Sequence, residues 1–235
     1  PVIEDAAQGL GGFLNGTPMG AMADYGIFSF GRGKPLAAGC GGALTGNSET
    51  LESIKSPAGT KGAAAMCTSM AVQVLSHPLL YGIMERLPLG LGRTIFDPGF
   101  AVGGMPQAVK RLAKSLLADL GPSIARRRSI ADVYRSCLPD SRTVPEPQGA
   151  QPAYPRFPFL AGPGEISDRL FRRGVRRMYP RALIDEPEIT RYFAGPGIEA
   201  PGARQIAREL VTLPTHSRIT RQTARRISEL LMEEC

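Results

Sequence analysis

Asp5, Ser29 and Lys34 are an acid, a hydroxyl and an amine, each at or just beyond the end of a short apolar run. The run Tyr25-Gly26-Ile27-Phe28-Ser29-Phe30 reads as a buried strand, because a short aromatic and β-branched stretch favours the pleated sheet. It gives way to Gly31-Arg32-Gly33-Lys34 and then to the glycine-rich turn Gly39-Cys40-Gly41-Gly42. Lysine is scarce here, five against twenty-three arginines, so Lys34 is not background. A guanidinium stays charged, whereas a desolvated lysine can lose its proton and attack a carbonyl. Upstream, Val2-Ile3-Glu4-Asp5 is a second short strand ending in an acid, followed by Ala6-Ala7-Gln8. In parallel α/β sheets ligands lie outside the carboxyl ends of the strands, so the three side chains are expected to converge on one crevice. Pyridoxal phosphate needs this set: a carboxylate for the pyridinium nitrogen, a hydroxyl for the phosphate and a lysine for the Schiff base.

Two other glycine-loop chemistries fail on inspection. A P-loop needs glycine at position 28, where Phe28 stands, and Ser or Thr after Lys34, where Pro35 stands. A dinucleotide fingerprint starting at Gly39 or Gly9 meets Leu44 or Leu14 at its last glycine. Lys34 alone reads as an ordinary surface-loop lysine, and Asp5 alone as a cap. The combination, in this order, carries the reading.

That combination resembles a known family. Glu4-Asp5-Ala6-Ala7-Gln8, then Phe28-Ser29-Phe30 with Lys34, then Gly39-Cys40-Gly41-Gly42, is similar to the DegT/StrS family of pyridoxal-phosphate sugar aminotransferases, a branch of the aspartate-aminotransferase fold. The resemblance implies an α/β fold: the C-terminal part of a fold type I large domain, with three sheet strands and helices, plus a small α+β C-terminal domain. By position it implies that Asp5 pairs with the pyridine nitrogen, Gln8 lies near the ring hydroxyl, Ser29 binds the phosphate and Lys34 carries the cofactor. It runs more weakly to the C-terminus, where Leu213-Pro214-Thr215-His216-Ser217-Arg218-Ile219-Thr220 is similar to the family's LPxHxRxT-like segment. Relatives are longer, and the glycine-rich phosphate loop and stacking aromatic expected ahead of the first strand are not in the sequence. The chain is therefore expected to be the C-terminal part of a longer enzyme.

The 235 residues suffice for one large domain or two modest ones. Hydrophobic residues at 43% and charged residues at 21% are ordinary for a soluble globular protein. With a strand expected at the very start, no signal peptide is expected in the sequence. The net charge of +7, with clusters at Arg126-Arg127-Arg128 and between Arg169 and Arg177, admits a nucleic-acid patch. Without interleaved aromatics or a nucleic-acid motif, solvated helix faces are the better reading, and no nucleic-acid partner is expected. Cys40, Cys67, Cys137 and Cys235 show no metal or disulfide spacing, which fits a reducing cytoplasm and predicts no metal site.

In chain order, strands are expected over 2–7, 25–30 and 42–45, with a glycine-rich loop over 9–24 turning at Asn15-Gly16. A short helix follows Ser48. The apolar run 63–84 is broken by Thr68, Gln73, His77 and Pro78, so it reads as a buried or subunit-interface helix rather than a membrane span. His77 has no second histidine at ligand spacing and reads as structural. After a loop over 88–106, the stripe Val109, Leu112, Leu116 and Leu117 predicts a helix over 107–119. Gly121-Pro122 punctuates, and Ser123 is positioned to cap a helix to Cys137. A proline-rich boundary over 139–155 leads to a strand at 156–161, a helix at 166–175 with Leu170 and Phe171 inward, and a short strand at 177–179. A loop over 195–202, a helix over 204–210, a strand over 210–213 and a Thr220-capped helix end the chain. The domain division predicted is 1–105 for a partial cofactor-binding domain, 106–138 for connecting helices and 139–235 for the small domain.

The functional expectation is a transaminase passing an amino group from an amino-acid donor to a keto-sugar, expected to be nucleotide-linked, in sugar and polysaccharide biosynthesis. Lys34 argues against the dehydratase branch, which has histidine there. Gly99-Phe100-Ala101-Val102-Gly103-Gly104-Met105 lacks the family's GxNxR-type asparagine and arginine, so no substrate residue is assigned. A homodimer in the cytoplasm is expected, with no membrane span. The rivals are a non-catalytic or regulatory protein on the same fold, or a fragment inactive by itself because half the cofactor pocket is absent.

Overall fold

The computed structural model describes residues 1–31, 33–54, 103–187 and 199–234. The apolar run 63–84, His77 and residues 99–102 lie outside them. Two compact units emerge. Of the described residues, 1–31, 33–54, 103–128 and 146–155 form the first, and 129–145, 156–187 and 199–234 the second.

The first unit is built on a sheet of strand order β1-β4-β5. Strand β1 (Ile3–Asp5) runs parallel to β4 (Tyr25–Ser29), with Asp5 opposite Ile27. Strand β5 (Gly42–Gly46) returns antiparallel, with Leu44 opposite Ile27 and Gly42 opposite Ser29. Side chains alternate across a sheet. Phe28 and Phe30 therefore share one face, and Phe30 packs there with Leu36, Ala38, Val109 and Ala113.

Between β1 and β4 the chain makes a short hairpin rather than the uninterrupted loop expected over 9–24. Strands β2 (Phe13–Leu14) and β3 (Thr17–Pro18) pair antiparallel around Asn15 and Gly16, whose φ angles of 49° and 80° are both positive. Two positive φ values define the mirror-image turn that matches strand twist, which is why Asn-Gly sits there. The hairpin gains a third strand, β6 (Ala150–Gln151). The return to β4 is clamped by Glu4, whose carboxylate accepts the amides of Gly20 (2.7 Å) and Met22 (3.0 Å).

Helix α1 (Ser48–Ser53) follows β5. Helix α2 (Gln107–Ala118) buries Val109 and Ala113, but Leu117 is 53% exposed and does not belong to the inward stripe expected of it. With 3.6 residues per turn, Leu117 points roughly 70° away from the mean direction of 109, 113 and 116. Helix α3 (Leu120–Cys137) starts before Gly121-Pro122, correcting the punctuation expected there. Proline is tolerated in a first turn because its missing N–H would have no intrahelical partner. Ser123 is thus inside the helix, donating its amide to the Asp119 carbonyl at 3.1 Å.

The second unit has a sheet of order β7-β9-β8, all antiparallel: β7 (Arg156–Leu160), β8 (Arg176–Arg177) and β9 (Leu210–Pro214). Pro158 is accommodated because β7 is an edge strand, where a ladder donor is dispensable. The Arg156 guanidinium binds Thr212 Oγ1 (2.7 Å), the Thr212 carbonyl (2.7 Å) and the Gly174 carbonyl (2.5 Å), tying the edge to the centre. Phe157, Phe159, Leu213, Ile227, Leu230 and Leu231 form the buried core. Helix α4 (Asp168–Arg172) is capped by Ser167, and α6 (Arg221–Glu234) by Thr220, whose hydroxyl oxygen accepts the Thr223 amide at 3.0 Å. Leu170 is buried as expected, whereas Phe171 is half exposed beneath the Arg176 guanidinium, 3.7 Å from its ring centroid. Helix α5 (Pro201–Glu209) begins three residues earlier than expected, with Pro201 in the first turn.

Candidate functional site

Because β1 and β4 are parallel, their carboxyl ends lie at one end of the sheet, and Asp5 and Ser29 are their last residues. The pairing of Asp5 with Ile27, followed by a step of two to Ser29, sets both on the same face. That face also carries Ile3, Ile27 and Leu44, all exposed. Lys34 lies in the connection from β4 to β5, which leaves and re-enters the sheet at this same end, since Ser29 pairs with Gly42.

The lysine loop is closed at its base. Gly31 bridges Gly39, the Phe30 amide donates to the Gly41 carbonyl at 2.9 Å, and the Gly39 amide donates to the Phe30 carbonyl at 3.0 Å. Leu36 and Ala38, buried against α2, anchor it from below. Lys34 itself is half-buried, its amide bonded to the Gly31 carbonyl at 3.3 Å. Gly41 has φ +83°, a left-handed conformation that favours glycine, and a Cβ there would stand 2.4 Å from Met105 Sδ, so the Met105 side chain would have to move aside.

Asp5 Oδ1 accepts the Ala7 amide at 3.0 Å in a local turn that fixes the carboxylate at the strand end. Its other oxygen takes no hydrogen bond among the described residues, so one lone-pair-rich oxygen remains for a cationic partner. Ser29 Oγ accepts the Gly31 amide at 3.3 Å, which orients the hydroxyl and leaves its proton available for donation. Gln8 is exposed, one turn past Asp5, where the Gly9 amide donates to the Ala6 carbonyl at 2.8 Å. A carboxylate, an oriented hydroxyl and an amine at one sheet end form a donor set that fits pyridoxal phosphate. Among the described residues no cluster of histidine, cysteine and acids is arranged to hold a metal ion.

The sequence reading did not single out Leu36 and Ala38, although Pro35-Leu36-Ala37-Ala38 is an apolar stretch inside a glycine loop and such a stretch needs a core to enter. It also missed Glu4 as a clamp. An acid preceding another acid gives no pattern that separates structural from chemical use.

Residues 1–80 match the model of the DegT/DnrJ/EryC1/StrS aminotransferase family. The resemblance read from Asp5, Ser29 and Lys34 is borne out over that stretch. No curated protein matches the sequence. Among solved structures, a DegT DnrJ EryC1 StrS aminotransferase from Brucella abortus superposes with a TM-score of 0.65 at 24% identity, over 98% of this chain and 56% of its own. Spr1654 from Streptococcus pneumoniae in its PLP form gives 0.62 at 17% identity, over 97% and 58%. DesI, solved in the presence of its TDP-sugar product, gives 0.62 at 22% identity, over 97% and 54%. The fold is therefore the mixed α/β fold of the pyridoxal-phosphate aminotransferases, and the chain spans a little over half the length of these relatives. Among the described residues no helix is long and apolar enough to cross a membrane.

Proposed function

We propose that this chain supplies the cofactor-anchoring strands and the small domain of a pyridoxal-phosphate-dependent aminotransferase that aminates a keto-sugar, the sugar nucleotide-linked and the donor an amino acid. The observation that carries this is the arrival of Asp5, Ser29 and the Lys34 loop at one end of one sheet. The TDP-sugar product of DesI supports the nucleotide-linked class.

When bound, the cofactor supplies an electron-poor ring that stabilises negative charge at the substrate carbon attached through nitrogen. Asp5 holds a proton on the pyridine nitrogen through its free carboxylate oxygen. Ser29 donates its hydroxyl proton to the phosphate, while Gln8 borders the ring hydroxyl. Lys34 would hold the cofactor at its carbonyl carbon, and its amine would be the group that carries a proton to and from the reacting carbon. Residues 1–105 act as part of the cofactor-binding domain and 139–235 as the small domain, joined by 106–138. A homodimer in the cytoplasm completes the proposal.

Titration of the protein at its natural length with pyridoxal phosphate, followed by borohydride reduction and peptide mapping, tests the reading. Stable label on Lys34 is expected. Label on another lysine, or none, rejects it.

A further inference from the structure

We infer that Arg128 is a positioning residue for the cofactor-facing end of β1, acting through the turn that follows Gln8; this rests on the function proposed above. The Arg128 guanidinium on α3 binds three carbonyls from two distant segments: Nε to Pro152 at 3.0 Å, and Nη2 to Gly11 at 3.1 Å and Gln151 at 2.9 Å. Four residues earlier on the same helix face, Ile124 lies against Gly11, where a Cβ would stand 2.7 Å from Ile124 Cγ1. Gly11 also has φ +84°, so this contact demands glycine twice over. Strands β2 and β6 join the same two segments by backbone pairing, Phe13 to Gln151 and Leu14 to Ala150. The hairpin base is thus held from three directions, with Arg128 at their meeting point.

A continuous series of short turns connects that point to Asp5. The Ala7 amide bonds Asp5 Oδ1 (3.0 Å), the Gly9 amide bonds the Ala6 carbonyl (2.8 Å), and the Gly12 amide bonds the Gly9 carbonyl (2.7 Å). Each turn takes its geometry from the next, so the Asp5 carboxylate and Gln8 inherit their placement from Gly11. A shift of about 1 Å in a group that orients a cofactor is enough to cost orders of magnitude in rate. Arginine suits the place because its planar fork addresses several carbonyls at once, which a lysine ammonium cannot reproduce.

The test compares Arg128→Lys and Arg128→Gln with the unaltered protein at natural length. Pyridoxal phosphate affinity is read from the visible band, thermal unfolding is recorded without cofactor, and amide hydrogen exchange is followed over residues 6–14. Affinity about tenfold weaker in Arg128→Lys is expected, as for loss of a charge-assisted hydrogen bond. Faster exchange over 6–14 should accompany it, and the affinity loss should persist after the unfolded fraction is allowed for. Wild-type affinity in both variants overturns the inference alone. So does an affinity loss that vanishes once the unfolded fraction is allowed for, since that marks a purely structural staple. An unaltered protein that develops no band overturns the cofactor reading and this inference with it.

Discussion

The Tyr134 hydroxyl donates to the Pro214 carbonyl at 2.9 Å, joining α3 to the end of the central strand β9 inside the second unit. Both groups are buried. Tyr134→Phe leaves the carbonyl without its donor and should lower stability by about 1–3 kcal/mol, seen as a reduced melting temperature. Burial, opposed by the nearby Arg156 charge, raises the phenol pKa above its usual value. The native state then keeps a proton that the unfolded chain releases above roughly pH 10. Stability from this group is complete below that pH and is lost as pH rises. Wild-type melting should fall more steeply than that of Tyr134→Phe between pH 9 and 11, a range set by the phenol's ordinary pKa of about 10.

Lys34→Ala and Asp5→Asn should separate two roles. The first removes the amine proposed to hold the cofactor, so the visible band and turnover should vanish together. The second keeps size but removes the charge facing the pyridine nitrogen. Binding should weaken by about ten- to a hundredfold, in line with a lost charge-assisted hydrogen bond, while turnover falls much further. Near-wild-type turnover in Asp5→Asn would show that Asp5 is not the pyridinium partner.

Gly20 has φ +87°, and a Cβ there would stand 2.2 Å from Phe28 Cζ. Gly20→Ala should therefore cost about 1–3 kcal/mol from overpacking alone, with backbone strain in addition. Chemical denaturation gives the number. Trimming the ring in Gly20→Ala/Phe28→Leu should recover part of the loss, and an unchanged midpoint would contradict the packing described.

Glu4→Gln keeps the shape but leaves a single acceptor oxygen, so only one of the Gly20 and Met22 amides, which bind Oε1 and Oε2 separately, keeps its partner. Proteolysis within 19–24 should accelerate, and stability should fall by about 1–3 kcal/mol, the cost of leaving one of the two amides without its acceptor. Glu4→Asp, one methylene short, should do no better.

Phe159 is fully buried on β7. Phe159→Ala should destabilise the second unit by about 3–5 kcal/mol through lost burial and a residual cavity, measured by calorimetry.

The sequence announced the strands that hold the site because each is a short apolar run closed by a polar residue whose chemistry is unusual at that place. Asp5 and Ser29 mark strand ends, and Asn15-Gly16 marks a turn that only positive φ angles can make. What it withheld was set by tertiary contact. The direction of Phe171 depends on Arg176 covering its ring, and nothing within 166–175 encodes that neighbour. The start of α3 was hidden because Gly121-Pro122 breaks a helix interior but not a first turn. The role of Arg128 was beyond reach for a similar reason: three successive arginines look alike until Gly11, Gln151 and Pro152 are brought beside one of them.

The closed base of the lysine loop separates reactivity from architecture. Gly31 and Gly39 tie its ends, Leu36 and Ala38 fasten it beneath, and the side chain at position 34 takes no share in either duty. A substitution there is expected to leave the pairing at the base of the loop in place. Under the proposed function, a change at position 34 bears on the chemistry of the sheet end before it bears on the fold.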